Sequence, residues 1–419
     1  MKQHTQLDRP RSILDPIHGL IRFTNEEFAL IEHPLFQRLG RIKQNGLLSF
    51  VFPGARHTRF AHSLGVLFVA DGMLRSLVSN SRVSAVKGAV LPLAEAQKGQ
   101  AIDLSELGDE DSAYLYRITR LAALAHDLGH GPLSHTFDKF ALSNATLRAL
   151  MEDVTVTALS PLKNTIISWK AKDVDSPVKH EIMSCLFFAH AWAEIGDPET
   201  AIAVAAAILG PGAYGDLIDG RMRKLVPLVH DLIASAPADA DHMDYMERDS
   251  RTIGVTYGLF DRNRVFKTLL CYKESDSASD ELLRLGLKRS GLRSVENLVQ
   301  ARFQLYLQVF YHKTNVAIQL MLDEISKLAK QAGVFVVSGT TVSAIADWYK
   351  DLDDDQFLRI LRGKAAGPFV GKAPINSLAE EVANRQLWKR VDECETLSEA
   401  TTNSRAPDFQ AHLPFAVTP

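Results

Sequence analysis

LAALAHDLGHGPLSHTFD, residues 121–138, is the stretch on which the fold turns. Leu121-Ala122-Ala123-Leu124-Ala125 is strong helix-forming material, and it delivers His126 and Asp127 side by side with His130 one turn further on. Residues one turn apart share a helix face, so these three can converge on one point. Gly129, Gly131 and Pro132 then stop the helix and release His135 into the following turn. Neutral imidazole with carboxylate is a ligand set for a borderline or hard divalent metal, and nothing here supplies thiolate. A single histidine on such a helix is ordinarily a satisfied core or surface residue. Three imidazoles and a carboxylate crowded into ten residues resist that explanation, because each buried polar group needs a partner.

The 419 residues are 46% hydrophobic, enough for a large core or for two to three domains. Lys plus Arg is 47 against 50 for Asp plus Glu, a net charge of −3, so there is no global attraction to nucleic acid or anionic lipid, and an anionic substrate needs a local patch. Cys185, Cys271 and Cys394 are widely spaced with no CxxC, which excludes a disulfide framework or zinc knuckle and points to a reducing, cytoplasmic setting. The N-terminus has no signal-peptide core, no later apolar run reads as long enough to span a bilayer, and no membrane partner is expected.

Upstream, Asp15-Pro16-Ile17-His18-Gly19 reads as a turn before the alternating Leu20-Ile21-Arg22-Phe23, so a small N-terminal hairpin is expected. Phe28, Leu30, Ile31 and then Leu35, Phe36, Leu39 and Ile42, broken by Pro34, predict two short helices. A loop from Gly46 to Gly54 leads to Arg59 and His62, which share a face if helical. His62 can then ligate a metal while Arg59 holds an anion beside it, although a solvated basic edge reads the same. The helix after His62 gives way to a polar region at 79–112, expected as an inserted loop or flap, and a second variable region spans 152–178. His180 opens an apolar helix, a position that favours an anion, though a helix-start histidine without chemistry is the plainer reading.

Downstream, Asp241, Tyr245 and Asp249 recur on one helix face, and Asp241 can complete a His-His-Asp-Asp shell with His62, His126 and Asp127. After a polar linker around 274–281, a long helical region from 295 to 332 places Arg302, Tyr306 and Phe310 on one face. Such a face suits a nucleotide base and phosphates, or equally a subunit interface.

FPGARHTRFAHSLGV, LAHDLGHGPLSHTFD, KHE, DHMDYMERD and ARFQLYLQVFYHKT, in that order and at similar intervals, resemble the HD-domain deoxynucleoside triphosphate triphosphohydrolases over roughly three quarters of the chain. The resemblance implies an all-α HD-domain helical fold, with the small N-terminal β-hairpin and a minor C-terminal α+β region added. Its layout would be an N-terminal segment 1–24, an HD phosphohydrolase domain 25–330 carrying the two insertions, a small region 331–395 and a poorly ordered tail 396–419. It implies metal ligation by His62, His126, Asp127 and Asp241, the divalent ion being Mn, Mg, Fe, Co or Zn. Arg59 and Arg302 would hold phosphates, while His130, His135 and His180 would surround the scissile phosphorus. Gln44, Tyr245 and Asp249 match positions that touch the sugar, and Phe310 matches an aromatic ring beneath it, with Tyr306 on the same face.

The implied reaction converts a dNTP to deoxynucleoside and inorganic triphosphate, with His135, paired to Asp138, as general acid. His242 stands where many relatives place Lys, and a neutral imidazole there binds phosphate less strongly. Glu32, Gln37 and Gly40 stand where vertebrate relatives read an activating guanine nucleotide with Asp, Gln and Arg. A homo-oligomer (dimer, tetramer or hexamer) is implied more firmly than an allosteric dNTP between subunits. The rival readings are an HD-type phosphodiesterase for cyclic dinucleotides, a nuclease acting on single-stranded nucleic acid ends, and a non-catalytic nucleotide sensor. The absence of a GYP signature and of a long basic stripe weighs against the first two.

Overall fold

The computed structural model describes residues 9–389 apart from 84–88, 93–98, 140, 169–176, 218–219, 236, 276–280, 335–336 and 338. The tail expected from 396 lies outside the described residues. The chain opens with the expected hairpin, in which β1 (Arg11–Asp15) pairs antiparallel with β2 (Gly19–Phe23). Asp15 Oδ1 accepts from the backbone N–H groups of Ile17 and His18, so the turn is held by its own first residue. α1 (Asn25–Glu32) starts in a capping box made by Thr24 and Glu27, and Pro34 opens α2 (Pro34–Gln37) at the one position where its missing N–H costs nothing.

The body is helical. α3 (Arg59–Val83), α4 (Asp109–Ala125), α5 (His135–Asp138), α6 (Asn144–Leu150), α7 (Lys163–Ser168), α8 (His180–Trp192), α9 (Pro198–Leu209), α10 (Pro211–Tyr214), α11 (Gly220–Ala234), α12 (Ala240–Ile253) and α13 (Arg262–Phe266) follow one another. α3 lies against α4, α11 and α12, while α9 fills the space among α4, α8 and α11 with small side chains. Gly65 lets α3 and α12 meet closely: a Cβ there would sit 1.9 Å from Asp244 Oδ1. Arg59–Ser81 is long and apolar enough to cross a membrane by length and composition, contrary to the sequence expectation. Here it is a core helix, with Leu64, Val66, Leu67, Val69, Ala70 and Met73 buried.

Two local expectations are corrected. The polar linker around 274–281 lies between strands, β5 (Leu269–Ser275) and β6 (Glu281–Lys288), which pair antiparallel with Cys271 opposite Leu285. Two short strands from the expected flap, β3 (Ala89–Pro92) and β4 (Gly99–Ala101), pair with each other and with β6 and β5 respectively, closing a four-strand ring. Within the variable region 152–178, of which 169–176 lie outside the described residues, Val156, Leu159, Leu162 and Ile166 are buried, and the 3₁₀ turn Val154–Leu162 packs on α8 and α9.

The long helical region expected over 295–332 is built from two helices. α14 (Leu292–Leu305) runs into a π-helical turn at Tyr306–Phe310, and α15 (Lys313–Gln331) begins afresh with His312 as its cap. Beyond it come α16 (Val342–Lys350), α17 (Asp354–Leu361) and α18 (Ala373–Ala383). No strand occurs among the described residues of this C-terminal region, so its expected α+β character reduces to helix. α16 packs on α2 and α8, and α18 packs on α15 and α17. The fold is all-α with minor β-structure.

Candidate functional site

α4 ends at Ala125, and the turn after it carries the chemistry. His126 Nδ1 lies 2.8 Å from Ala123 O, which can only accept, so the proton sits on Nδ1 and the Nε2 lone pair is free. His62, on the first turn of α3, places Nδ1 2.7 Å from Asp244 Oδ2, which likewise aims Nε2 inward. The donor atoms of His62, His126 and Asp127 lie within 4.8 Å of one another. Asp241, from the start of α12, completes the group with Oδ1 3.0 Å from His62 Nε2 and 3.9 Å from His126 Nε2.

Both Nε2 atoms are buried; that of His62 meets the Asp241 carboxylate, while that of His126 makes no hydrogen bond, a costly arrangement unless something else takes its lone pair. Two imidazoles and two carboxylates in this geometry fit a divalent metal ion. Burial opposes a charge on His62, but the hydrogen bonds to Asp241 and Asp244 overcome it and raise the group to about 10. Asp127 is held well below the usual carboxylate range: burial works against this, and Arg59, His126 and His130 outweigh it. Asp241 falls to about 2 for the same kind of reason, with His62 as the main partner.

Sequence reasoning missed the support behind His62. Asp244 is fully buried, accepts from Arg248 at 2.9 and 3.0 Å, and lies 2.6 Å from His18 Nε2. Arg248 in turn reaches Asp15 at 2.8 Å, which ties the N-terminal hairpin to the candidate metal-binding quartet. The signal available was Asp244, one turn beyond Asp241 on α12.

Beside the quartet, His130, His135 and His180 form a second cluster whose ring nitrogens also fall within 4.8 Å. The His130 and His180 rings stack 3.6 Å apart at 15°, with His135 edge-on to both. Imidazole lone pairs lie in the ring plane, so those of two near-parallel rings run side by side and do not converge on one ion. The trio is built for protons or anions, not for chelation. Its charges are split. His130 is driven well below its usual value by burial, Arg59 and His180. His135, although part of its ring faces solvent, falls to about 4 through desolvation and then His180 and Arg59. His180 is raised, because Asp138 and Glu181 outweigh its burial. Here the expected pairing is corrected: Asp138 Oδ2 lies 2.9 Å from His180 Nδ1, and it is His180, not His135, that gains the carboxylate.

The other expected substrate residues divide. Arg302 Nε donates to Tyr245 Oη at 3.0 Å, and its guanidinium lies over the Tyr306 ring at 5.4 Å. Phe310 is 5.0 Å from Tyr306 and 6.3 Å from Tyr245, so the aromatic-and-basic face assembles as expected. His242 lies 5.5 Å from Tyr245 and pairs with Asp239 at 2.6 Å, which overcomes burial and raises its pKa. Arg59 is buried, contacts Asp127 and donates to Ser134 Oγ at 3.3 Å. Gln44 is buried with Oε1 unsatisfied. Asp249 is fully buried, 2.6 Å from His57 Nε2 and accepting from Asn45 at 2.9 Å, so it lies beneath the site with its oxygens already engaged.

No family model matches the chain. Among curated proteins it is similar to the uncharacterized protein YwfO of Bacillus subtilis, 29% identical over 397 residues, which cover 92% of this chain and 73% of that one. It is 24% identical to a putative HD domain-containing protein of Acanthamoeba polyphaga mimivirus, over 92% of this chain and 76% of the relative. The deoxynucleoside triphosphate triphosphohydrolase SAMHD1 of Bos taurus is 26% identical over 93% of this chain, which spans 60% of the bovine protein. The chain is thus related over most of its length to HD-domain proteins that include deoxynucleoside triphosphate triphosphohydrolases.

Proposed function

We propose that this HD-related protein is a metal-dependent hydrolase that cleaves a dNTP to deoxynucleoside and inorganic triphosphate. The observation that carries the reading is the convergence of His62, His126, Asp127 and Asp241, with the buried His126 Nε2 unpartnered, beside a histidine cluster of split charge. The relatives named as triphosphohydrolases support the substrate class. A divalent ion of the Mn, Mg, Fe, Co or Zn type held by the quartet would lower the pKa of water from near 16 toward about 7 and offset charge on phosphate oxygens.

The chain's own residues supply the rest. Arg59 and Arg302 are the cations that grip the triphosphate through charge-assisted hydrogen bonds, with His242 as a further hydrogen-bond donor. Tyr245, Tyr306 and Phe310 wall the sugar, and the unsatisfied Gln44 Oε1 accepts a sugar hydroxyl. In-line attack at the α-phosphorus expels the 5′-oxygen, which needs a proton. His180, kept charged by Asp138, stores that proton in the resting site, and His135, edge-on to it, passes it to the leaving oxygen. Homo-oligomer formation and an activating nucleotide between subunits belong to the same proposal.

The test is an anion-exchange separation of products after metal-loaded protein meets each dNTP singly and in mixture. Triphosphate plus deoxynucleoside is the expected result, and turnover only in the mixture reveals an activating nucleotide. Pyrophosphate with monophosphate, or no product, sinks the reading and moves weight to a phosphodiesterase, nuclease or sensor.

A further inference from the structure

We infer that Asp354, the first residue of α17, is a positioning residue that straps the His135 turn to the Gln44 segment. The inference rests on the reading of His135 and Gln44 as groups that face substrate. Asp354 is 2% exposed. Its Oδ1 accepts from Leu133 N at 2.8 Å and its Oδ2 from Lys43 N at 3.0 Å. One carboxylate therefore spans two main-chain segments far apart in sequence, one ending two residues before His135 and the other one residue before Gln44.

The turn it grips is strained. Leu133 and Ser134 have φ of +58° and +57°, consecutive positive-φ residues that are not glycine, immediately before His135. Such a conformation persists only where its surroundings over-determine it. Ser134 Oγ adds a second tie, donating to Gln44 O at 2.7 Å, and Gly46 lies flush against the turn, where a Cβ would sit 3.4 Å from Leu133 Cα. Asp354 is not needed to start its own helix, because Asp353 caps α17 by accepting from Gln356 N at 2.8 Å. Lys43 Nζ, 3.8 Å from Oδ2, is the nearest cation, so the carboxylate is spent mainly on the two amides. The C-terminal helical region thus sets the angle at which two candidate active-site residues enter the site.

Asp354→Asn leaves one acceptor oxygen for two amides, since its NH₂ cannot accept. Amide hydrogen exchange read by mass spectrometry on the full chain tests this without requiring activity, so it stands even if no dNTP is cleaved. The expected result is exchange about tenfold faster or more in peptides covering 41–46 and 131–137, with α12 peptides unchanged. Where dNTP cleavage is present, kcat falls about 10- to 100-fold with little change in KM or bound Mn²⁺. Asp353→Ala, which loosens α17 without touching the strap, reproduces neither effect. Unchanged exchange in both segments, or equal effects in Asp353→Ala, overturns the inference. If Asp354→Asn fails to fold, Asp354→Glu, which keeps both acceptors on a longer arm, takes its place under the same readouts. Failure of both to fold assigns Asp354 to stability alone and also overturns it.

Discussion

Asp138 sits 2.9 Å from His180 and leaves His135 to desolvation and two cationic neighbours, so two imidazoles of one cluster part in opposite directions. His180 is raised and stays protonated to higher pH than a free histidine, so activity that needs its proton falls as pH rises through its pKa. Asp138→Asn removes the main raising partner, and the alkaline fall of kcat is expected to move to lower pH, read from a pH–rate profile. An unmoved limb would place the proton elsewhere. His62 bears a second prediction. Its pKa near 10 without metal means that between about pH 6.5 and 10 an incoming ion must displace a proton, so affinity rises with pH over that window. Calorimetric titration with Mn²⁺ in two buffers of different ionisation enthalpy should differ by the heat of about one proton. Asp244→Asn should weaken metal binding about 10- to 100-fold, since Asp244 orients His62. These charge assignments were not legible in the sequence: Asp138 lies three residues from His135 and forty-two from His180, and only the fold chooses between them.

At the scale of elements, the turn between α4 and α5 is clamped on both sides. Ser184 on α8 accepts from Gly129 N at 2.8 Å and donates to His126 O at 2.7 Å. Arg38, fully buried between Phe187 and Tyr349, donates to His130 O at 2.6 Å and to Leu128 O. Buried carbonyls of an irregular turn have no helical ladder to join, and here an arginine that follows α2 meets two of them. Gly129 permits the contact with α8, because a Cβ there would lie 2.2 Å from His180 O. Gly129→Ala is expected to cost about 1–3 kcal/mol, seen as a lower Tm, and to displace His180. Thermal unfolding equal to that of the parent would show that α8 yields freely. The glycine was visible as a helix stop. Its second role, as the contact surface for a helix beginning some fifty residues later, was not.

Over the whole molecule, the metal quartet draws on α3, the α4 turn and α12, so an ion bound there ties three elements that separate on unfolding. Added Mn²⁺ at about a hundredfold over its Kd should stabilise the fold by about 2.7 kcal/mol, read as a Tm shift reversed by EDTA and absent in His126→Ala. The periodicity of α1, α3, α4, α8 and α12 could be read locally, because a helix declares itself through neighbours three and four residues away. The site motifs His126–Asp127–His130 and Asp241–Tyr245 ride on those helices and were legible with them. β3 to β6 were not, since short strands draw their stability from partners distant in the chain, and the π turn at Tyr306–Phe310 leaves no periodic trace. The sequence by itself determined the helical class and the chemical character of the site. Which carboxylate charges which histidine, which glycine admits which helix, and the link from α17 to the His135 turn were decided only by the tertiary structure, because pairwise electrostatics and close packing depend on distances that chain separation does not encode.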